Sequence, residues 1–191
     1  MEWIAEHDGK FGHFIGGRFT KPKNLFKTIN PFNKKEIAKI SQGTVADIKK
    51  SVEAARSGLE KWQSISSFQR SKYLYAIARY IQKESRTISV LESMENGKSI
   101  RESRDIDIPL AARHFYYHAG WAQLLDEEFQ GYSAVGVCGQ IIPWNFPILM
   151  LAWKVAPAIA AGNSVILKPA EQTSLTAVSY THLTLPTTYT V

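Results

Sequence analysis

The sequence predicts an α/β fold: a helical N-terminal segment followed by the first βαβ unit of a Rossmann-like parallel sheet. Apolar residues recur at helical spacing in several stretches between residues 44 and 125. Two near-continuous apolar runs follow, Ala134–Ile142 and Val165–Leu167, as is typical of strands that are buried on both faces of a parallel sheet. A helical stretch of the length that a right-handed crossover needs lies between these two runs.

The first forty residues predict short strands and turns. Phe14–Phe19 is expected to form two strands joined by a turn at Gly16-Gly17, because glycine adopts the positive φ angles of tight hairpin turns. Asn30–Asn33 predicts a turn, since Asn and Pro both favour that geometry. Ile37–Ile40 predicts a further short strand.

Four helices are expected next, starting near residues 44, 66, 85 and 105, with the last ending near residue 125. Their boundaries follow from capping patterns, in which a polar side chain accepts a hydrogen bond from a free backbone amide at the helix start and a glycine ends the last turn. The residues that form these patterns are Thr44 with Asp47, Ser66 with Gln69, and Asn96 with Gly97.

Composition excludes several classes of protein. The chain has 191 residues, of which 45% are hydrophobic and 21% charged, the composition of an ordinary globular domain. The net charge of +6 comes from scattered lysines and arginines without a dense run, so we expect no nucleic-acid partner. The single cysteine, Cys138, excludes an internal disulfide and a multi-cysteine metal site. We expect a cytoplasmic protein, because the N-terminal residues lack the apolar run of a signal peptide.

One uncharged stretch, residues 129–153, is long enough to span a bilayer. It contains three glycines and two prolines, and a lipid-exposed helix could not satisfy its backbone hydrogen bonds through so many interruptions. We therefore expect this stretch to be buried in protein and predict no membrane partner.

Two loops leave the predicted strands, Pro143–Pro147 and Lys168–Glu171. Because the carboxyl ends of parallel strands meet at one edge of a sheet, we expect these loops to be neighbours at a ligand site. The Asn145 amide has the chemistry to stabilise a developing oxyanion. Lys168 and Glu171 suit the hydroxyls of a ribose, and the carboxylate disfavours a 2′-phosphate, which favours NAD over NADP. The alternative for Lys168 and Glu171 is a surface ion pair near a helix start.

A long, ordered match carries a resemblance to a known family. Gly139–Pro147, Leu151–Asn163 and Val165–Thr173 resemble the signature of the aldehyde dehydrogenase superfamily. The upstream segments Glu95–Lys98 and Tyr117–Ala122 also fit its N-terminal region, and they are most similar to the family 16 type. The resemblance covers about residues 10–177.

This resemblance implies oxidation of a small-molecule aldehyde to a carboxylic acid with NAD as cofactor, NADP being possible. Asn145 matches the catalytic oxyanion-hole amide. The cofactor-binding positions that the resemblance implies are Ile141, Ile142, Pro143, Trp144, Asn145, Lys168, Ala170 and Glu171, with Lys168 and Glu171 on the adenosine ribose. It implies no metal site, and it implies a homo-oligomer for a full-length protein.

The chain also departs from the family pattern. The nicotinamide loop, the general-base glutamate and the nucleophilic cysteine are expected beyond residue 177, so we predict that this chain alone does not turn over aldehyde. Cys138 lies in a predicted strand and does not match the nucleophile. We expect residues 1–177 to form a partial cofactor-binding domain and the threonine-rich stretch 178–191 to be an unrelated tail outside it. The alternative function is a non-catalytic paralogue that binds a nucleotide or a partner protein.

Overall fold

A computed structural model describes residues 2–184, excluding the side chains of residues 182–184. The chain begins with a short helix and five short strands: α1 (Glu2–Glu6), β1 (Lys10–Phe11), β2 (Phe14–Ile15), β3 (Arg18–Phe19), β4 (Leu25–Ile29) and β5 (Glu36–Ser41). β2 and β3 form the predicted antiparallel hairpin. β5 confirms the predicted strand near residues 37–40 and lies between β1, which is parallel to it, and β4, which is antiparallel.

The sequence patterns did not predict β1 or β4. β1 has only two residues, and the five residues of β4 do not alternate between apolar and polar side chains. Both strands pair with β5, so hydrogen bonds across the sheet stabilise two strands that their own sequence patterns do not predict.

A helical layer follows, and it confirms the four predicted helices. Its members are α2 (Val45–Ser64), α3 (Ser67–Lys83), α4 (Ser85–Asn96), the single turn α5 (Ile100–Glu102), a π-helical turn (Ser103–Asp107) and α6 (Ile108–Glu128). The fourth predicted helix therefore begins about three residues later than expected, because a wider turn occupies residues 103–107.

The predicted caps are present. Thr44 Oγ1 accepts from the Asp47 amide at 3.3 Å, and the Asp47 carboxylate accepts from the Thr44 amide at 3.0 Å, which forms a reciprocal capping box on α2. Ser66 Oγ accepts from the Gln69 amide at the start of α3. Gly97 ends α4 in the left-handed conformation, with φ of 87°.

The predicted strand–helix–strand unit is also confirmed. β6 (Val137–Ile141) leads through α7 (Pro147–Ala160) to β7 (Ser164–Lys168), and the two strands pair in parallel. The register places Ile141 opposite Lys168, so both strands end at the same edge of the sheet. α7 packs against α6 and β7, with the main hydrophobic core between these elements and α3.

The prediction that β6 is buried on both faces is wrong. Gln140 is buried and donates from Nε2 to the Lys154 carbonyl of α7, whereas Gly139 is exposed and Ile141 is 71% exposed. Cys138 is half-buried rather than enclosed. The physical reason is that α7 covers the face of β6 that carries Gln140, whereas the packing of the described elements leaves Gly139 and Ile141 on the opposite face exposed.

After β7 the chain forms a 3₁₀ turn (Glu171–Thr173) and then α8 (Leu175–Thr184). α8 therefore continues past residue 177, although its composition predicts poor helix formation there. Tyr180 is 5% exposed and its ring stacks on Phe115 at 6.0 Å, so burial in the main core stabilises this helix. The division of the chain at residue 177 stays a prediction, and residues 185–191 lie outside the described part.

Within residues 2–184, no helix combines the length and the apolar composition that crossing a bilayer requires.

Candidate functional site

The two predicted ligand loops are neighbours in space. The first follows β6, and the second follows β7 at Pro169-Ala170. The Ile142 amide donates to the Lys168 carbonyl at 3.1 Å, which extends the parallel pairing by one residue into the start of the first loop. The side chains that follow both strands therefore lie at one edge of the sheet, where parallel sheets bind ligands.

The first loop presents an apolar surface and an amide. Pro143, Trp144 and Asn145 are exposed, Trp144 by 57% of its area. Ile141 next to them is exposed, whereas the Ile142 side chain is 2% exposed and packs in the main core. Ile142 thus meets the ligand edge through its backbone, while the other four residues present side chains there.

The second loop presents a cation and an anion. Lys168 Nζ lies 2.6 Å from Glu171 Oε1, and both side chains are about half exposed. The hydrogen bond from Lys168 lowers the pKa of Glu171, so its carboxylate is ionised at neutral pH. Ala170 is buried beneath the turn, where its carbonyl accepts from Ser174 Oγ at 2.8 Å.

Lys168 and Glu171 form a surface ion pair, which the sequence analysis gave as the alternative to a ribose-binding role. An exposed pair of this kind contributes little to stability. The same exposure leaves an ammonium and a carboxylate side by side and accessible to a ligand with adjacent hydroxyls, which both donate and accept hydrogen bonds.

A cavity of about 890 Å³ lies beside the second loop, a volume typical of small-molecule sites. It is bounded by α2, the β2–β3 turn, β7 and α8, and Lys168, Pro169 and Glu171 contribute to its lining. Trp144 and Asn145 are not among its lining residues. The ion pair therefore borders this largely apolar cavity, whereas Trp144 and Asn145 lie outside it.

Helix α4 holds the first loop, a role that the sequence patterns did not assign. Asn96 Nδ2 donates to the Trp144 carbonyl at 2.7 Å, and the ammonium of Lys98 lies 4.2 Å from the centroid of the Phe146 ring. In the sequence, the motif Glu95–Lys98 is recognisable only as part of the family resemblance and as a helix end. No local pattern showed that it contacts a loop almost fifty residues away.

A buried ionic cluster lies behind these contacts. Lys98 Nζ is 2.6 Å from Asp107 Oδ2 and 3.5 Å from Glu92 Oε1, and Glu92 and Asp107 are almost fully buried. Burial raises the pKa of Glu92 to about 8, an effect that Lys98 opposes. Glu92 Oε2 accepts from the Ile148 amide at 3.2 Å, so this cluster also holds the start of α7.

The residues described here do not form a metal site. Among the side chains of residues 2–181 there is no group of three or more His, Cys, Asp or Glu placed to hold a metal ion. The chemistry of the edge is that of hydrogen-bond donors, one carboxylate and an aromatic surface.

Known proteins resemble this chain over almost its whole length. An acetaldehyde dehydrogenase from Pseudomonas aeruginosa is 43% identical over 178 residues, 87% of this chain. The crystal structure of an aldehyde dehydrogenase from Bacillus cereus in complex with NAD⁺ superposes with a TM-score of 0.91 at 31% identity and covers 98% of this chain. A structure of aldehyde dehydrogenase C from Pseudomonas syringae with NAD⁺ and octanal superposes with a TM-score of 0.86 at 30% identity over 93% of this chain.

The chain spans only part of these proteins. It covers 35% of the Pseudomonas aeruginosa enzyme and 41% and 38% of the two solved chains. The sequence profile of the aldehyde dehydrogenase family matches residues 19–186, which include both loops and every predicted site residue. Together with the superpositions, this match shows that the chain belongs to the aldehyde dehydrogenase family.

Proposed function

We propose that this chain supplies the first half of the cofactor site of an NAD-dependent aldehyde dehydrogenase, which oxidises an aldehyde to a carboxylic acid. The observation that carries the proposal is the parallel pairing of β6 with β7. That pairing brings the Asn145 loop and the Lys168–Glu171 pair to one edge. The family match and the NAD⁺ complexes of two structural neighbours support it.

The residues present fit a dinucleotide. Lys168 and Glu171 are accessible and would bind the two ribose hydroxyls of the adenosine, and the carboxylate of Glu171 would repel a 2′-phosphate. Ile141, Pro143 and Trp144 would lie along the cofactor as an apolar surface. When bound, NAD accepts a hydride from the substrate. The Asn145 amide would donate to the aldehyde oxygen as negative charge develops on it.

Three further parts of the proposal concern the protein as a whole. We place the nucleophile and the general base outside this chain, so the chain alone binds nucleotide without turning over aldehyde. A full-length protein of this type would be a homo-oligomer. A cytoplasmic location belongs to the same proposal, because a chain with one half-buried cysteine suits a reducing compartment.

The test is the binding of ADP-ribose, which carries the adenosine ribose and both phosphates, measured by titration calorimetry on the 191-residue chain. Lys168→Ala should raise the Kd by about tenfold or more, the loss expected for a hydrogen bond from a charged group. Lys50→Ala, which removes an exposed lysine of α2, is the matched control and should leave the Kd unchanged.

Cofactor preference is measured in the same titration. Glu171→Gln should narrow the difference in Kd between NAD and NADP, because the repulsion of the 2′-phosphate is removed, and Glu60→Gln should not. A chain that fails to bind ADP-ribose, or that binds it equally well after Lys168→Ala, would contradict the proposed site.

A further inference from the structure

Two buried glutamates on α4 each contact the start of a different helix. Glu92 accepts from the Ile148 amide in the first turn of α7. Glu95, one turn further along α4, accepts from the Leu175 amide through Oε2 and from the Thr176 amide through Oε1, both at 2.7 Å. Residues three apart on a helix lie on the same face, so one face of α4 holds the start of both helices.

Each of these helices begins directly after one of the ligand loops. α7 starts at Pro147, two residues beyond Asn145. α8 starts at Leu175, and the Ser174 hydroxyl and the Thr173 amide both bond to the Ala170 carbonyl. The turn that presents Glu171 is therefore tied to the first residues of α8, and a shift of α8 would move it.

Glu95 has an unusual environment for a carboxylate. It is 3% exposed, and among the side chains of residues 2–181 no lysine, arginine or histidine forms an ion pair with it. Its partners are the two backbone amides at the positive end of α8. Only a carboxylate offers an acceptor oxygen to each amide, since a carboxamide would turn an NH₂ group towards one of them.

A buried carboxylate of this kind is costly, and a hydrophobic residue would often stabilise the fold as well or better. What the carboxylate provides is a defined position for the two amides that it binds. We propose that Glu95 is a positioning residue for the Lys168–Glu171 pair, and that Glu92 does the same for the Asn145 loop. Helix α4 would then set the spacing of the two halves of the nucleotide site. This role rests on the proposed function.

The experiment compares Glu95→Gln with Glu102→Gln, an exposed carboxylate on α5 that serves as the matched control. Amide hydrogen exchange is followed by NMR on the 191-residue chain. In Glu95→Gln the amide that faces the new NH₂ group, either that of Leu175 or that of Thr176, should exchange at least about tenfold faster, the change expected when a hydrogen bond to a charged group is lost. The Ile148 amide, which Glu92 holds, should keep its rate, and Glu92→Leu, which has no acceptor oxygen, should show the reverse pattern.

ADP-ribose binding is the second measurement on the same variants. The Kd should rise by about tenfold or more in Glu95→Gln and stay unchanged in Glu102→Gln. Faster exchange throughout the core, in place of a change confined to the first turn of α8, would reduce Glu95 to a general stabilising role and overturn the proposal.

The outcomes separate this proposal from the proposed function. If the unaltered chain does not bind ADP-ribose, the proposed function fails and this role fails with it. If the unaltered chain binds and Glu95→Gln binds equally well, the positioning role alone is overturned. If Glu95→Gln does not fold, Glu95→Asp keeps the charge and withdraws the carboxylate by one methylene. Unchanged exchange and an unchanged Kd in that variant would also overturn the role.

Discussion

Gly97 shows how a single residue connects a helix end with the loop that follows it. Gly97 ends α4 with a φ of 87°. The residue before it, Asn96, donates from its side chain to the Trp144 carbonyl. A Cβ at this position would lie 2.7 Å from Pro31 Cγ. Both the backbone conformation and the close approach of Pro31 therefore require glycine.

Gly97→Ala should lower the free energy of unfolding by about 1–2 kcal/mol from the left-handed conformation alone, with a further loss from the contact with Pro31. Urea denaturation measures this change. Gly58→Ala is the control, because Gly58 lies within α2 and its added Cβ would meet no atom of another element within 4 Å. The free energy of unfolding of that variant should rise by about 0.5–1 kcal/mol, because alanine has a higher helix propensity than glycine. Equal effects at the two positions would contradict the role of Gly97.

The sequence alone identifies the residues of the two loops as candidates for ligand binding, because the chemical property of each side chain does not depend on how the chain packs. An amide donates, an ammonium pairs with a carboxylate, and an indole presents an aromatic face. The burial of the Ile142 side chain could not be predicted from side-chain chemistry. Ile141 and Ile142 are both isoleucine, and only the direction of the strand's pleat decides which of them enters the core.

Among the elements, α2 has the best-defined start. Thr44 and Asp47 cap each other, and Lys23 Nζ lies 2.9 Å from Asp47 Oδ1, so the cap also ties α2 to the segment before β4. This arrangement matters for the site because α2 packs against β7 and lines the cavity beside Lys168.

Thr44→Ala should lower the free energy of unfolding by about 1 kcal/mol, since it leaves a first-turn amide without its acceptor. Ser64→Ala is the control at the other end of α2, where an exposed hydroxyl donates to the Lys61 carbonyl of its own turn. It should change stability by less than about 0.5 kcal/mol. Chemical denaturation of both variants gives the comparison, and an effect of Ser64→Ala as large as that of Thr44→Ala would contradict the capping role.

For the whole molecule, the two buried glutamates of α4 contribute to the way stability depends on pH. Burial raises the pKa of Glu95 to about 7, an effect that hydrogen bonds from Thr176 and Leu175 oppose, and it raises the pKa of Glu92 to about 8. Both values lie above the 4.5 of an ordinary glutamate, so between pH 4.5 and 8 the folded chain holds more protons than the unfolded chain. Stability must then fall as pH rises through this window.

The expected result is a decrease in the free energy of unfolding from pH 5 to pH 8.5, measured by urea denaturation at each pH. In Glu95→Gln the part of the decrease that ends near pH 7 should disappear, while the part due to Glu92 should remain. At the acidic end the sign reverses, because hydrogen bonds from Thr44 and Lys23 lower the pKa of Asp47, and its protonation below about pH 4 removes stability. A profile in Glu95→Gln identical to that of the unaltered chain would contradict the buried state of Glu95.

The sequence by itself determined the four main helices, their caps, the parallel strand–helix–strand unit and the two loops that follow its strands. These features depend on short-range patterns such as helical periodicity, capping pairs and apolar runs, which act over a few residues. Only the tertiary structure decided that one face of β6 is open, that Tyr180 is buried in the core, and that Glu92, Glu95 and Asn96 hold the two loops. Each of these depends on contacts between residues tens of positions apart, because burial and long-range hydrogen bonds form only when separate elements pack together.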